Sequence, residues 1–357
     1  MKRHYLLWVA SFFFTLASCK KSNPVTDTPV TPPVTTPNTY VSDESFKIVA
    51  YMPDYRDPAA VTASRYKMIT HLNFAFLKPN EAADGSLIAF TSAIQTRFNT
   101  LKQLAKTNKV KFAISVSGTT LLFENIVANA SARSKLAQNI INFAIANGLD
   151  GVDMDWEYPS STKGTSDYFT LLMKELSEGL HKNNIYLSAA VTPAVYAGGV
   201  RDGIKADVYQ YVDFFNIMQY DGPNYDTTEP LNHASYKMTV ASMDVWLGTK
   251  ALPKTKAIMG LPLYGEDKTG AAKAYRDIAS VAGVDINTNL ASITTTSGSI
   301  TTTTDWGFNG IAEIKRKTQL AKERGNGIMF WELWQDSPDD TKSLIKAAND
   351  QLGRSYN

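Results

Sequence analysis

One cysteine in 357 residues, Cys19, is all the thiol this chain has, which excludes a disulfide within it and any metal site built on several thiolates. Long apolar runs are missing too. The run from Tyr5 to Leu16 is twelve residues, whereas about 20 are needed to cross a bilayer as a helix. Charge of one sign is equally absent. The 36 Lys and Arg against 34 Asp and Glu leave a net charge of +2, and no polybasic block stands out. That balance argues against a nucleic-acid partner and against membrane association driven by charge. No glycine-rich phosphate turn follows the first apolar strand, so an open doubly wound sheet is the weaker architecture.

The first nineteen residues are expected to be a signal segment rather than fold. Lys2 and Arg3 start it, the apolar run follows, and Leu16-Ala17-Ser18-Cys19 closes it. That ending resembles the bacterial lipobox, in which the cysteine is lipidated and becomes the mature N-terminus. The resemblance implies a lipid anchor on Cys19 and a place at the cell envelope, on the outer membrane or cell surface. Residues 20–45 carry Pro24, Pro29, Pro32, Pro33 and Pro37 among Thr, Val and Asp. Such a stretch cannot form a core and is expected to be an extended tether.

Residues 46–352 are the one large folded unit. Short β-rich apolar runs at 47–52, 69–77, 110–117, 149–157, 185–192, 214–220, 257–263 and 327–333 read as strands. Helical patterns separate them, clearest at 93–107, 132–147, 166–183, 235–247 and 311–324. Strand then helix, eight times over, is the arithmetic of an α/β fold of the (β/α)8 TIM-barrel type. A small insertion between the seventh and eighth strands, 265–310, holds a Ser/Thr-rich run at 293–304 and is expected as a hairpin-like or loose flap on the catalytic rim.

The segment LDGVDMDWEYP, Leu149 to Pro159, carries the chemistry. Strand alternation puts Asp153, Asp155 and Glu157 on one face and Val152, Met154, Trp156 and Tyr158 on the other. Like charges disfavour ionisation, so one of the three acids is expected to hold a proton near neutral pH. A protonated acid beside carboxylates is what general acid catalysis needs. A hard metal would want the same oxygens, but Tyr158-Pro159 follow instead of a ligand loop, so neither metal nor cofactor is expected. Barrel enzymes carry their reacting groups at the C-terminal ends of strands. Aromatic residues collect at those ends here, and flat rings suit the apolar faces of pyranose sugars.

With these residues in place, the chain resembles glycoside hydrolase family 18, the chitinases, over the whole of 46–352. The DxxDxDxE signature is present as Asp150, Asp153, Asp155 and Glu157. The strand-six MxYD is Met218, Tyr220 and Asp221, and the strand-eight tryptophan that floors the sugar site is Trp331. The resemblance implies substrate-assisted hydrolysis with retention. Glu157 would protonate the glycosidic oxygen while the substrate's N-acetyl carbonyl attacks the anomeric carbon. Asp155 would hold the acetamido N–H and Tyr220 its oxygen. Asp153 would share a proton or charge with Asp155, supported by Tyr51 and Ser115 at the base of the substrate site. Met218, Asp221, Tyr264 and Trp331 resemble sugar-contacting residues, and Asp150, of opposite parity, a more distant support. The implied partners are chitin, chito-oligosaccharides or other N-acetylglucosamine glycans, met by a monomer.

There are departures. The family's strand-three SxGG is here Ser115-Val116-Ser117-Gly118, Thr119 stands where many chitinases carry tryptophan, and Gly222-Pro223-Asn224-Tyr225 also lacks one. A thinner aromatic grip on the leaving-group side and a more open cleft are expected. Two other functions fit the same motif: an endo-β-N-acetylglucosaminidase acting on N-glycans, and a non-catalytic chitin-binding lipoprotein. The retained Glu157, Asp155 and Tyr220 argue against the second.

Overall fold

Eight strands buried almost throughout close into a ring, as parallel strands between a packed interior and a jacket of helices must be. The computed structural model describes residues 40–356; the signal segment 1–19 with Cys19, and the tether as far as residue 39, lie outside the described residues. In chain order the strands are β1 (Lys47–Pro53), β2 (His71–Leu77), β3 (Lys111–Ser117), β4 (Gly151–Asp155), β5 (Tyr186–Val191), β6 (Phe214–Ile217) and β7 (Ala257–Pro262). Then come β8 (Tyr264–Glu266), β9 (Ala272–Ala274), β10 (Leu290–Ser297) and β11 (Ile300–Gly307), and finally β12 (Gly327–Trp331). The barrel order is β1-β12-β7-β6-β5-β4-β3-β2, with every neighbouring pair parallel.

The eight strands expected from the sequence are these eight. Several stop short at the rim, β12 at Trp331 among them. β4 ends at Asp155 and β6 at Ile217, because pairing with β3 and β7 runs out there. Helices Ser92–Thr107, Ala130–Ala146, Ser166–His181 and Ile311–Arg324 fall within a few residues of expectation. The one expected at 235–247 is Tyr236–Met243, continued by a wider turn over Asp244–Thr249. An unanticipated helix, Thr120–Ala128, precedes Ala130–Ala146. Asn129 separates them: it leaves helical geometry at φ −100° and ψ 112°, and its side chain caps the second helix through Ser131 N and Ala132 N.

The outward face of the strands packs under the helices. Trp156 is 1% exposed, stacks on Phe123 at 5.3 Å and meets Phe169 edge-on at 5.9 Å. Inside the ring, Gly260 of β7 is required by close approach. A Cβ there would lie 2.4 Å from the Ile217 carbonyl oxygen and 3.1 Å from the Tyr220 ring. Its absence leaves room for the Tyr220 ring beside β7.

The insertion takes the hairpin-like of its two expected forms. It forms a four-stranded antiparallel sheet in the order β10-β11-β8-β9, beginning at Tyr264. Its threonines pair across strands, Thr294 with Thr303 at 2.8 Å and Thr296 with Thr301 at 3.1 Å. Ala291 and Ile293 turn to the buried side, so the hairpin alternates as a half-covered sheet should.

Two sequence assignments move. The packed unit has already begun at Tyr40, which stacks on His181 at 3.9 Å, so the last residues assigned to the tether lie on the barrel. Asp150 belongs to the opposite end of β4 from the reacting acids. Its carboxylate accepts the Phe112 N–H at 2.9 Å and pairs with Lys111 at 3.3 Å. Five residues of strand separate it from Asp155, about 16 Å of rise, so it fastens β3 to β4 at the barrel's base.

Candidate active site

Carboxylates gather where β4 runs out. Asp153 points into the barrel and is fully buried, so its charge has to be met by donors. Tyr51 Oη (2.7 Å) and Ser115 Oγ (2.8 Å) donate to Oδ2, while Ser188 Oγ (2.6 Å) and Asn216 Nδ2 (3.2 Å) donate to Oδ1. They come from β1, β3, β5 and β6, so one acid knits four other strands to β4. Burial pushes the Asp153 carboxyl above its ordinary value, and the four donors work in the opposite direction. Ser115, grouped with Tyr51 at the substrate site in the sequence reading, is itself 0% exposed and contacts Asp153 instead of the cavity.

Asp155 is the last residue of β4, and Glu157 lies two residues past it. Burial, then the charges of Glu157 and Asp153, drive the Asp155 carboxyl well above the usual range, and a hydrogen bond to Glu157 adds to this. The Glu157 carboxyl is raised as well: burial outweighs a hydrogen bond from Tyr158, and the charge of Asp221 pushes the same way as burial. The protonation of Asp155 is thus linked to both Glu157 and Asp153, whose charges raise it together. Tyr158 also departs from the alternation. The strand has ended by then, so Tyr158 turns to the cavity and its hydroxyl reaches Glu157.

A cavity of about 310 Å³ opens above these acids. Tyr51, Asp155, Glu157, Met218, Tyr220, Asp221, Tyr264 and Trp331 line it together, having been scattered over 281 positions of sequence. Trp331 lies at the base, tilted 5.5 Å from Tyr51 and nearly parallel to Phe76 at 5.8 Å. Burial holds the Tyr220 hydroxyl far above its ordinary value, so it stays a neutral donor. Asp221 has φ 58°, in the left-handed region that costs a non-glycine residue of order 1–3 kcal/mol. Its surroundings fix it there. Tyr264 Oη donates to its carboxylate, and its own N–H donates to His233 Nδ1 at 3.1 Å.

The sequence pattern of residues 47–336 matches the model for glycosyl hydrolases family 18. The chain belongs to that family. Chitotriosidase-1 of Mus musculus is 28% identical over 241 residues, 60% of this chain and 51% of that protein. Nod factor hydrolase protein 1 of Medicago truncatula is 29% identical over 236 residues, covering 58% of this chain and 59% of its own length. This chain thus spans little more than half the length of those two relatives. Among solved structures, a chitinase from Bacteroides thetaiotaomicron superposes with a TM-score of 0.71 at 23% identity, covering 86% of this chain and 96% of its own.

Several residues of this family 18 site were not singled out in the sequence. Ser188 and Asn216 share inward parity with Ala190 and Met218 on their strands, and that parity was the available signal. Tyr196 and Tyr225, from the loops after β5 and β6, meet edge to face at 6.0 Å, and no strand pattern reaches them. Glu332 follows Trp331 and is a further carboxylate at a strand end. It is bound to Arg56 Nε at 2.9 Å and to Trp334 N–H at 2.9 Å, and it does not line the cavity. Burial against the pull of Arg56 pushes its carboxyl up to about 7.

Proposed function

We propose that this chain hydrolyses β-1,4-linked N-acetylglucosamine glycans with retention, using Glu157 as general acid and the substrate's own acetamido group as nucleophile. The observation that supports this reading is that Asp155, Glu157 and Tyr220 line one cavity while Asp153, the remaining acid of the row, is sealed by four donors. Two-carboxylate retaining enzymes hold their pair about 5–5.5 Å apart and inverting ones about 6.5–9.5 Å apart. Asp155 and Glu157 lie two residues apart at one strand end, so neither faces the other across a bound sugar as an acid and a protein nucleophile must. A nucleophile brought by the substrate removes that need.

In this scheme Glu157 gives its proton to the leaving oxygen as the glycosidic bond breaks. Asp155 turns its charge to the acetamido N–H, and Tyr220 donates to the acetamido oxygen as that oxygen closes on the anomeric carbon. Water then opens the ring and returns the proton to Glu157. Asp153, saturated by donors, holds fixed negative charge beneath the pair.

Chito-oligosaccharides are the favoured substrates. Thr119 is occupied in capping helix Thr120–Ala128 through Leu122 N–H at 3.2 Å, and offers no aromatic face to a leaving sugar. Tyr196, 56% exposed, and Tyr225 supply a smaller aromatic surface. The reading is tested by hydrolysis of chito-oligosaccharides beside a high-mannose glycoprotein. Release of glycan from the glycoprotein with the oligosaccharides left intact would overturn it in favour of an endo-glycosidase on N-glycans.

The same protein is proposed to be lipid-anchored through Cys19. A Cys19→Ala variant is expected to move from the membrane fraction to the soluble one. Acyl chains contribute about 0.8 kcal/mol per buried CH₂, and the polar tether contributes almost nothing. A variant that still sediments with membranes would sink the anchor.

A further inference from the structure

Asp221 is held from the insertion as well as from the barrel. Glu266 ends β8, the strand that leads into the inserted sheet, where it pairs with Gly307 of β11 and Ala272 of β9. One ring nitrogen of His233 and one carboxylate oxygen each of Asp221 and Glu266 lie within 4.8 Å of one another. Such a trio could suggest a cation site, but the imidazole is spoken for. Its Nδ1 accepts the Asp221 N–H at 3.1 Å, so the proton is on Nε2, which faces the Tyr264 carbonyl at 3.3 Å. His233 Nδ1 also stands 3.5 Å from Asp221 Oδ1 and 3.8 Å from Glu266 Oε1.

The loop that carries His233 is fastened to the insertion from below. Asn309 donates to Asn232 Oδ1 at 2.9 Å and to the Ala234 carbonyl at 3.0 Å. Buried Lys317 donates to Asn309 Oδ1 at 2.6 Å and to the same carbonyl. Gly307 completes the fit, since a Cβ there would sit 1.9 Å from the Leu231 carbonyl oxygen. His233 and Glu266 therefore meet Asp221 in one fixed arrangement.

We infer that Glu266 is a positioning residue of the reaction: it shares a proton with Asp221, and through that contact the inserted sheet becomes part of the sugar-binding site. This deepens the glycosidase reading above and rests on it. Burial pushes the Glu266 carboxyl up to about 7; His233 works against the shift, and Asp221 adds to it by charge and by hydrogen bond. Burial also opposes the charge on Asp221, but His233 beside it and hydrogen bonds from Tyr264 and Glu266 prevail and hold its carboxyl below the usual range. Below neutrality the proton sits on Glu266 and the charge on Asp221. Above it two carboxylates face each other and Asp221 loses a donor. The other charged or titratable neighbours of the pair are Glu157 and Tyr158 past the end of β4, Tyr220 after β6, Tyr264 on β8, Asp267 on the same turn, and Lys273 on β9, whose ammonium lies over Trp306 at 5.3 Å.

The experiment follows the affinity for chitotriose by tryptophan fluorescence, together with kcat/KM, across pH in the full chain and in Glu266→Gln and Glu266→Leu variants. The wild-type affinity is expected to fall about tenfold between about pH 6 and pH 8, the worth of one charge-assisted hydrogen bond. Glu266→Gln keeps a neutral donor and should flatten that fall to about twofold or less, whereas Glu266→Leu should bind about tenfold more weakly throughout. A Gln variant with the wild-type fall, or a Leu variant with wild-type affinity, overturns the inference. So does binding of Ca²⁺ or Zn²⁺ by the wild type that the Gln substitution abolishes. Binding without turnover would count against hydrolysis, while the affinity profile still decides for Glu266.

Discussion

Glu157→Gln should bind chito-oligosaccharides within a few-fold of wild type and cleave them about 10²–10⁴-fold more slowly or worse, the usual contribution of a general acid. The amide keeps the shape of the side chain and can still accept from Tyr158, so the cavity has no reason to reorganise. What it lacks is a proton to give. The loss should therefore depend on the leaving group. A nitrophenyl glycoside, which departs as a stable anion, needs little protonation and should suffer less than an oligosaccharide. The pH profile gives a second check. Burial raises the Glu157 carboxyl, so the wild-type acid persists into weakly acidic solution and activity falls as pH rises through its titration. The variant should show no such limb. Most of the activity retained on an unactivated oligosaccharide would remove Glu157 from the role.

A substrate whose reacting sugar lacks the N-acetyl group should be cut so slowly that turnover is barely measurable. Asp155 and Tyr220 would have no amide to orient, and Asp153 is sealed beneath them by its four donors. A well-oriented intramolecular nucleophile is worth at most about 7–11 kcal/mol of barrier. A thiazoline that mimics the bicyclic oxazolinium ion should inhibit for the same reason. The decisive measurement is the rate on matched N-acetylglucosaminyl and glucosyl oligomers, with the fresh anomer followed by NMR. Equal rates, or an α-anomer first from a β-linked bond, would exclude assistance by the substrate.

The barrel was legible because each of its strands is a short apolar run closed by a helix pattern, and a ring of that period has one topology. The row of acids was legible for the same reason: strand parity is a local property. What the sequence hid is non-local. Asp153 finds donors on β1, β3, β5 and β6, and only closure of the ring brings Ser188 and Asn216 to it. Parity also misleads once a strand stops. Glu157 and Tyr158 lie past the end of β4, so both reach the cavity although alternation sets them on opposite faces. Asp150 belongs to the signature by spacing, yet it serves the far end of the strand. The threonine-rich insertion left hairpin and loose flap both open because its buried side is only a few residues wide, with Ala291 and Ile293 its covered apolar members on β10.

Asp221 apart, the acids at this rim are held above their ordinary values: Asp153, Asp155, Glu157, Glu266 and Glu332, with burial the first cause in each. An unfolded chain would release those protons at lower pH than the folded one does. Folding is then linked to proton uptake. The contribution of these groups to stability is fully present below their unfolded values, and it drains away as pH climbs through the raised ones. Carboxylates in most proteins do the reverse and drive acid unfolding. Here the acids of the cavity mouth oppose that trend, so this cluster is a local reservoir of protons whose own share of stability is larger in mild acid than above neutrality.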